Sequence, residues 1–392
     1  MLISSVEELR LYAPANAIDH IETLAGFLDS SEHDFLAEKL GHPLHASLTE
    51  YYQDLLNSED GLADYIQSIT NGIEMPPYAR LLTVAQRIVA FDALGRAIDM
   101  QAISVNGAGI NISTADDYAK ADREAVAAYK STCVKEAHAA VNRLLVLLEG
   151  WTKDAVPEDT DLVPDGYTSG SEEEEEENTS EQENTSEQEN TPEQEKSEIA
   201  RLWRASRFFY LAAGLVIPSA IVLQDYLNIY ESREKFITLL PELRTIQEDI
   251  MAPIIGEDFM DYLIAFSRDP KPSSEAQVQE GESSGLSEAD VRLLSRILHR
   301  LRKAVARHLE SRTMQMKLTD PRRNAAHDEA VQLTTDLADY IAAHQSDLPT
   351  DALTAFTTSP LYKPTDVTTE DEVPSFENNA PDSVIFVTPA LS

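Results

Sequence analysis

Residues 22–48 of this chain align without a gap on residues 237–263. Thr23/Thr238, Leu24/Leu239, Leu28/Leu243, Asp34/Asp249, Ala37/Ala252, Gly41/Gly256 and Leu48/Leu263 are identical pairs. Phe35/Ile250, Leu36/Met251, Leu40/Ile255 and Leu44/Phe259 keep the apolar frame. Further along, Arg80-Leu81-Leu82 answers Arg292-Leu293-Leu294, and Glu124-Ala125-Val126 answers Glu329-Ala330-Val331. A self-match in the same order across two halves predicts a duplicated unit. Two long copies predict tandem domains, because a solenoid needs three or more repeats.

Helical periodicity dominates both halves. Ser4 or Ser5 predicts a cap for a first helix, with Glu7 and Glu8 at its positive end. Ala17–Leu28 and His33–Leu56 follow, the second broken or kinked at Gly41-His42-Pro43. Pro76-Pro77 opens a helix over Tyr78–Met100, and Ser113 or Thr114 caps another from Ala115 to about Trp151. Between these two helices, Asn106-Gly107 joins Ile103/Val105 to Ile110/Ile112, which predicts a hairpin. In the second half, a helix over Glu198–Gly214 leads in. Ile221–Tyr230 takes the place of Ile3–Tyr12, Ser287–Ser311 that of Tyr78–Met100, and Thr313–Leu318 the hairpin position. A last long helix starts at Asp320 or Pro321 and runs to about Ala343.

The expected fold is therefore mainly α, two tandem helical domains each with a short hairpin segment. The expected boundaries are 1–155 and 197–347, joined by a disordered acidic linker at 156–196, with an extended tail over 348–392. The linker carries six consecutive Glu, then NTSEQE twice and NTPEQE once, with nothing apolar to bury. The loop over Pro270–Gly285 reads the same way. Val384–Val387 ends the polar tail with a β-prone run that predicts docking on a sheet edge, in this chain or a partner.

The net charge of −38 bears on partners. The run from Glu172 to Glu195 accounts for twelve of those charges, and the rest of the chain is still strongly acidic. General nucleic-acid binding is disfavoured on that ground. The basic strip Arg292–Arg312 surrounds the apolar stripe of Leu293, Leu294, Ile297, Leu301 and Val305, and reads as a solvated helix face. The most apolar run, Phe208–Leu223, is shorter than the roughly twenty residues of a membrane helix, and Pro218 breaks it. No membrane partner is expected. MLISSVEELRLY lacks the features of a signal peptide, so a cytoplasmic location is expected.

Motifs for chemistry are sparse. The chain has no GxxxxGK[ST], HExxH, GxSxG or CxxC, and Gly107-Ala108-Gly109 lacks a following helix. Cys133 is the sole cysteine and reads as a packed thiol. His42 and His45 fall at i, i+3 and, with His33 or Glu38, have a metal-ligand spacing. The second half has Glu257 and Met260 in those places, so the spacing reads as surface polar residues. Asp116-Asp117 and Asp249/Asp258 read as helix caps. No catalytic, cofactor or metal residue is expected. The candidate protein-contact residues are Asn106, Gly107, Ile385, Phe386 and Val387.

The ordering of these segments resembles a known pattern. It runs from a capped short helix and FLAEKLG through PPYARLLTVAQRIVAFDAL, ISVNGAGINI and DREAVAAYKSTCVKEAHAAVNRLL. It continues with LWRASRFFYLAAGLVIPSAIVLQDYLNIY and IMAPIIG, and ends in IFV. It resembles an uncharacterised family, a domain of unknown function, seen in Bacteroidetes genomes and their prophages. Each half is similar to the small helical head–tail connector (head-completion or adaptor) proteins of tailed phages, which form rings beneath the portal. The resemblance implies a non-enzymatic virion component whose partners are its own copies or portal and tail proteins. It carries no catalytic residues. The rival expectation is a cellular helical adaptor or scaffold without a viral role.

Overall fold

The computed structural model describes residues 1–13, 20–101, 103–106, 109–112, 123–155, 191–211, 213–268, 286–313 and 321–364. These residues are mainly helical. They form two compact units. The first comprises Met1–Met251 with Leu298–Thr334, and the second Ala252–Ile297 with Thr335–Ser392, described as far as residue 364.

The first unit opens with α1 (Val6–Tyr12), capped by Ser5 in a capping box with Glu8. After α2 (Ala25–Ser30) the chain widens into a π-helical turn over Ser31–Leu36 and tightens again in α3 (Ala37–Leu40). Gly41 then turns the chain at φ 79°, and α4 (His42–Asn57) departs with Pro43 in its first turn. A helix reversal of this kind requires the left-handed region, where glycine carries no Cβ penalty. α5 (Gly61–Asn71) follows. α6 (Pro77–Gln101) is apolar on most of its circumference, so it is buried by neighbours on several sides. Those neighbours are α1, α2, α4 and the long α7 (Arg123–Ala155). Between α6 and α7, β1 (Ile103–Asn106) pairs antiparallel with β2 (Gly109–Ile112), with Ile103 opposite Ile112 and Asn106 opposite Gly109.

α8 (Pro192–Trp203) differs from the expected Glu198–Gly214 at both ends. Its start lies inside the expected linker. Thr191 and Gln194 form a capping box and Pro192 stands in the first turn, so the last NTPEQE is a helix-start signal. The helix stops at Trp203 because the chain turns sharply through Ser206, whose backbone lies against Gly41. Its counterpart in packing is the first half of the chain: α8 lies against α4, α6 and α7. α9 (Ala220–Gln224) and α10 (Arg233–Ile246) continue the unit, and a second π-helical turn follows over Gln247–Met251.

The second unit begins with α11 (Ala252–Ile255), a turn at Gly256 with φ 94°, and α12 (Glu257–Arg268). α13 (Glu288–Thr313) and α14 (Pro321–Ala343) supply residues to both units, and α15 (Thr350–Phe356) packs on α12. Phe259, Leu263, Ile341 and Phe356 are buried in this unit, with the Phe259 and Phe356 rings 5.1 Å apart and edge-on.

Candidate functional site

The chemistry of the described residues is concentrated in buried polar clusters. The first surrounds the main chain of Leu2. The Leu2 N–H donates to Glu32 Oε2 at 2.6 Å, and its carbonyl accepts from Gln86 Nε2 at 2.6 Å. Gln86 is fully buried and its amide is used completely. Nε2 also donates to Glu8 Oε1 at 3.1 Å, while Oε1 accepts from the hydroxyls of Tyr12 at 2.8 Å and Tyr65 at 2.9 Å. Tyr52 donates to Glu8 Oε1 at 2.8 Å. Glu8, Gln86 and the three tyrosine hydroxyls have their partners, as burial demands. Desolvation pushes the Tyr12, Tyr52 and Tyr65 hydroxyls far above their ordinary range and keeps them protonated as donors. Burial also works to raise the Glu32 carboxyl. The His45 imidazole, the Leu2 N–H and the Met1 ammonium at 3.4 Å outweigh it and hold Glu32 below the usual carboxylate range.

A second cluster surrounds the main chain of Val216. Its N–H donates to Gln247 Oε1 at 2.9 Å, and its carbonyl accepts from Arg302 Nε at 2.7 Å. Gln247 Nε2 donates to the Gly214 carbonyl at 3.0 Å. The Tyr226 hydroxyl lies 2.9 Å from His299 Nδ1. Burial lowers the Arg302 guanidinium and raises the Tyr226 hydroxyl. Position by position, Leu2, Ser5, Leu9 and Tyr12 have the roles of Val216, Ser219, Leu223 and Tyr226, since Ser5 and Ser219 both cap the helix that follows. The sequence match had set Ile3–Tyr12 against Ile221–Tyr230, four residues further on. Likewise Gln86 and Arg302 each donate to the main-chain carbonyl of their corner.

Two close backbone approaches repeat in the same way. A Cβ at Gly41 would stand 3.0 Å from Ser206 Cα, and one at Gly256 would stand 2.9 Å from Ser359 Cα. Ser206 N–H donates to Trp203 O at 2.8 Å and Ser359 N–H to Phe356 O at 2.9 Å. The serine hydroxyls accept from Phe208 N at 3.0 Å and from Leu361 N at 3.2 Å. The serine carbonyls accept from Phe209 N at 2.9 Å and Tyr362 N at 3.0 Å.

A third cluster joins α7 to the segment before α10. Tyr210 donates to Glu149 Oε2 at 2.9 Å, Arg233 Nε lies 3.3 Å from the same oxygen, and Lys153 Nζ donates to Oε1 at 2.8 Å. Burial works to raise Glu149, and these donors and cations bring it below its ordinary value.

Of the candidate protein-contact residues named from sequence, only Asn106 is among the described residues. Asn106 ends β1, paired with Gly109, while Gly107, Ile385, Phe386 and Val387 lie outside the described residues, as do Asp116, Asp117, residues 172–190 of the acidic run and the loop over 269–285. His33 and His45 meet edge-on at 5.6 Å, and His45 lies 3.4 Å from Glu32. Among the described residues no group of three or more His, Cys, Asp or Glu could hold a metal ion. In the basic strip, Arg292 pairs with Glu288, Arg307 with Glu310 and Glu329, and Arg312 with Glu242. Cys133 is buried, and burial raises its thiol. Among the described residues no helix is long and apolar enough to cross a membrane. Sequence reasoning missed Glu32, Gln86, Glu149 and Arg233, and placed Glu8 only at the start of its helix. Glu149 had a signal, a lone acid inside the apolar stretch LLVLLEGW.

Residues 36–154 match the model of a family of unknown function, DUF6712. No curated protein and no solved structure matches the chain.

Proposed function

We propose that this protein is a non-enzymatic structural protein, built from two copies of one helical unit and working in assembly as a head–tail connector-like component. The observation that carries the reading is the repeated pair of devices. The Leu2 corner has the layout of the Val216 corner, and the Gly41–Ser206 approach has that of Gly256–Ser359. The buried acids support the structural half of the reading, because Glu8, Glu32 and Glu149 are consumed by backbone N–H groups, tyrosine hydroxyls and cations of the fold itself. In this reading one copy runs from Leu2 to Phe209 and the other from Val216 to Tyr362. The acidic run then falls inside the first copy, between α7 and α8, and not between the copies. A fragment ending at Leu211 is expected to fold cooperatively, while one ending at Ala155 lacks Ser206 and Trp203 and is expected to be unfolded or molten. Circular dichroism and urea unfolding of the two fragments test this, and equal stability of both sinks the boundary. Sedimentation of the whole chain tests the assembly half, which predicts a discrete oligomer.

A further inference from the structure

We propose that the outer edge of β2 is a docking site for the run Val384–Val387 of the same chain, which adds a third strand to the β1–β2 hairpin. Among the described residues, β1 and β2 pair only with each other, from Ile103–Ile112 to Asn106–Gly109. A two-stranded hairpin is marginal in water, and a third strand is what makes such a sheet stable. Edges left open in natural sheets are blunted by charge or proline, and neither ISVN nor GINI holds either.

Register says which backbone groups are on offer. Antiparallel pairs alternate between those that exchange hydrogen bonds and those that do not. Two residues separate the strands, so Asn106–Gly109 is a bonded pair and Val105–Ile110 is not. Ile103 and Val105 therefore turn their N–H and C=O groups to one outer edge, and Ile110 and Ile112 to the other. Only residue 102 stands between α6 and β1, so a strand laid along β1 meets the helix end. Residues 113–122 separate β2 from α7 and leave its edge open.

The occupant is argued from sequence and length. Val384–Val387 lies outside the described residues and reads VIFV, four β-prone residues without charge, bracketed by Pro381 and Pro389. An added strand is held by main-chain hydrogen bonds, which suits a short run against a four-residue edge. The chain from Pro364 to Val384 can reach roughly 66 Å. A compact chain of 392 residues has a radius of gyration of about 21 Å, so this tether is long enough to serve its own molecule. Residues 365–383 carry six acids and no base, which keeps the tether in solvent while the uncharged run docks. A tethered run acts at an effective concentration of order millimolar. A second copy arrives at its solution concentration and against a net charge of −38, which favours the run of the same chain.

Hydrogen exchange of the full chain tests this. The amides of Ile385, Phe386 and Val387 are expected to exchange at least about tenfold slower in the wild type than in Ile110→Pro. That proline removes an outward N–H from β2 and spares the bonds between β1 and β2. Val105→Pro does the same on β1 and is expected to leave 385–387 protected as in the wild type. Ile385→Pro is expected to speed exchange at Ile110 and Ile112. Fast exchange of 385–387 in the wild type overturns the proposal, as does protection that survives Ile110→Pro. Equal loss in Ile110→Pro and Val105→Pro overturns the choice of β2. Protection that rises with protein concentration assigns the strand to a second copy and overturns docking within the chain.

Discussion

At Leu2 the main-chain N–H and C=O are met by a carboxylate and a carboxamide, and at Val216 by a carboxamide and a guanidinium. The geometry is the same and the charges differ. Gln86 is fully buried and neutral, with all its hydrogen-bonding capacity used, whereas Arg302 keeps part of its side chain in solvent. The carbonyl is met by a fully buried neutral amide at the first corner and by a partly solvated guanidinium at the second, while the N–H is met by a buried carboxylate at the first and a buried carboxamide at the second. The proposed duplication sets Glu8, which shares the first corner, against Val222, so in that reading the second corner has no buried acid to satisfy at that position.

The two glycine turns should give the largest effects. An added methyl at Gly41 or Gly256 meets backbone, which cannot rotate away, and both positions lie in the left-handed region. Gly41→Ala and Gly256→Ala should each cost on the order of 2–4 kcal/mol in urea unfolding. A cost below about 0.5 kcal/mol at one site and not the other would break the equivalence.

Next come the corners. Gln86→Leu removes the partner of the Leu2 carbonyl and of two buried hydroxyls, and should cost roughly 2–4 kcal/mol. Arg302→Leu removes the partner of one carbonyl, in a hydrogen bond that is only partly buried, so roughly 1 kcal/mol is expected. Equal losses would mean that burial does not distinguish the corners.

The mainly helical class, the break at Gly41 and the long helices after Pro76 and Pro321 were legible, because capping residues, glycine and 3.6-residue periodicity mark them locally. Register was not. Leu81 and Leu82 can be set against Leu293 and Leu294 or against Ile297 and Leu298, since a shift of one helical turn preserves an apolar face. The run FFYLAAGLVIPSAIVL is too uniformly apolar to mark its own frame. Only the polar partners Glu32, Gln247, Gln86 and Arg302 distinguish the alternatives, and these pairings join residues far apart in sequence. The contact of Gly41 with Ser206 was invisible for a related reason. It is made by backbone, and the residues around Ser206 and Ser359 share little beyond the serine.

Acid should separate the corners further. Glu32 is held below its ordinary value in the fold, so its contribution is present above the unfolded value and is lost as pH falls through the folded one. Glu32→Gln copies the second corner's residue. It should cost about 1 kcal/mol at neutral pH and flatten the loss of stability below about pH 4. An unchanged acid limb in urea unfolding would assign that limb to other carboxylates, Glu149 first.

The smallest expected effect concerns His308 on α13, which the proposed duplication sets against Asp92 on α6. Asp92 accepts from Ser31 Oγ at 2.7 Å and from Arg96 Nε at 2.6 Å, so that position in the first half favours an anion. His308 is buried with Nε2 3.0 Å from Thr334 Oγ1, beside the His327 ring at 6.4 Å. Burial, then the nearby His327 and Arg312, lowers its imidazole below the ordinary value, so the folded state favours the neutral ring. The unfolded chain binds this proton more readily. Stability is therefore lost as pH falls through the unfolded value, about 6.5, towards the folded one. Replacing His308 with Gln should leave stability at pH 8 within about 1 kcal/mol and remove part of the slope between about pH 7 and 5.5. Glu32→Gln should leave that window untouched. If both variants change the same window, the two sites titrate as one and the contrast between the halves fails.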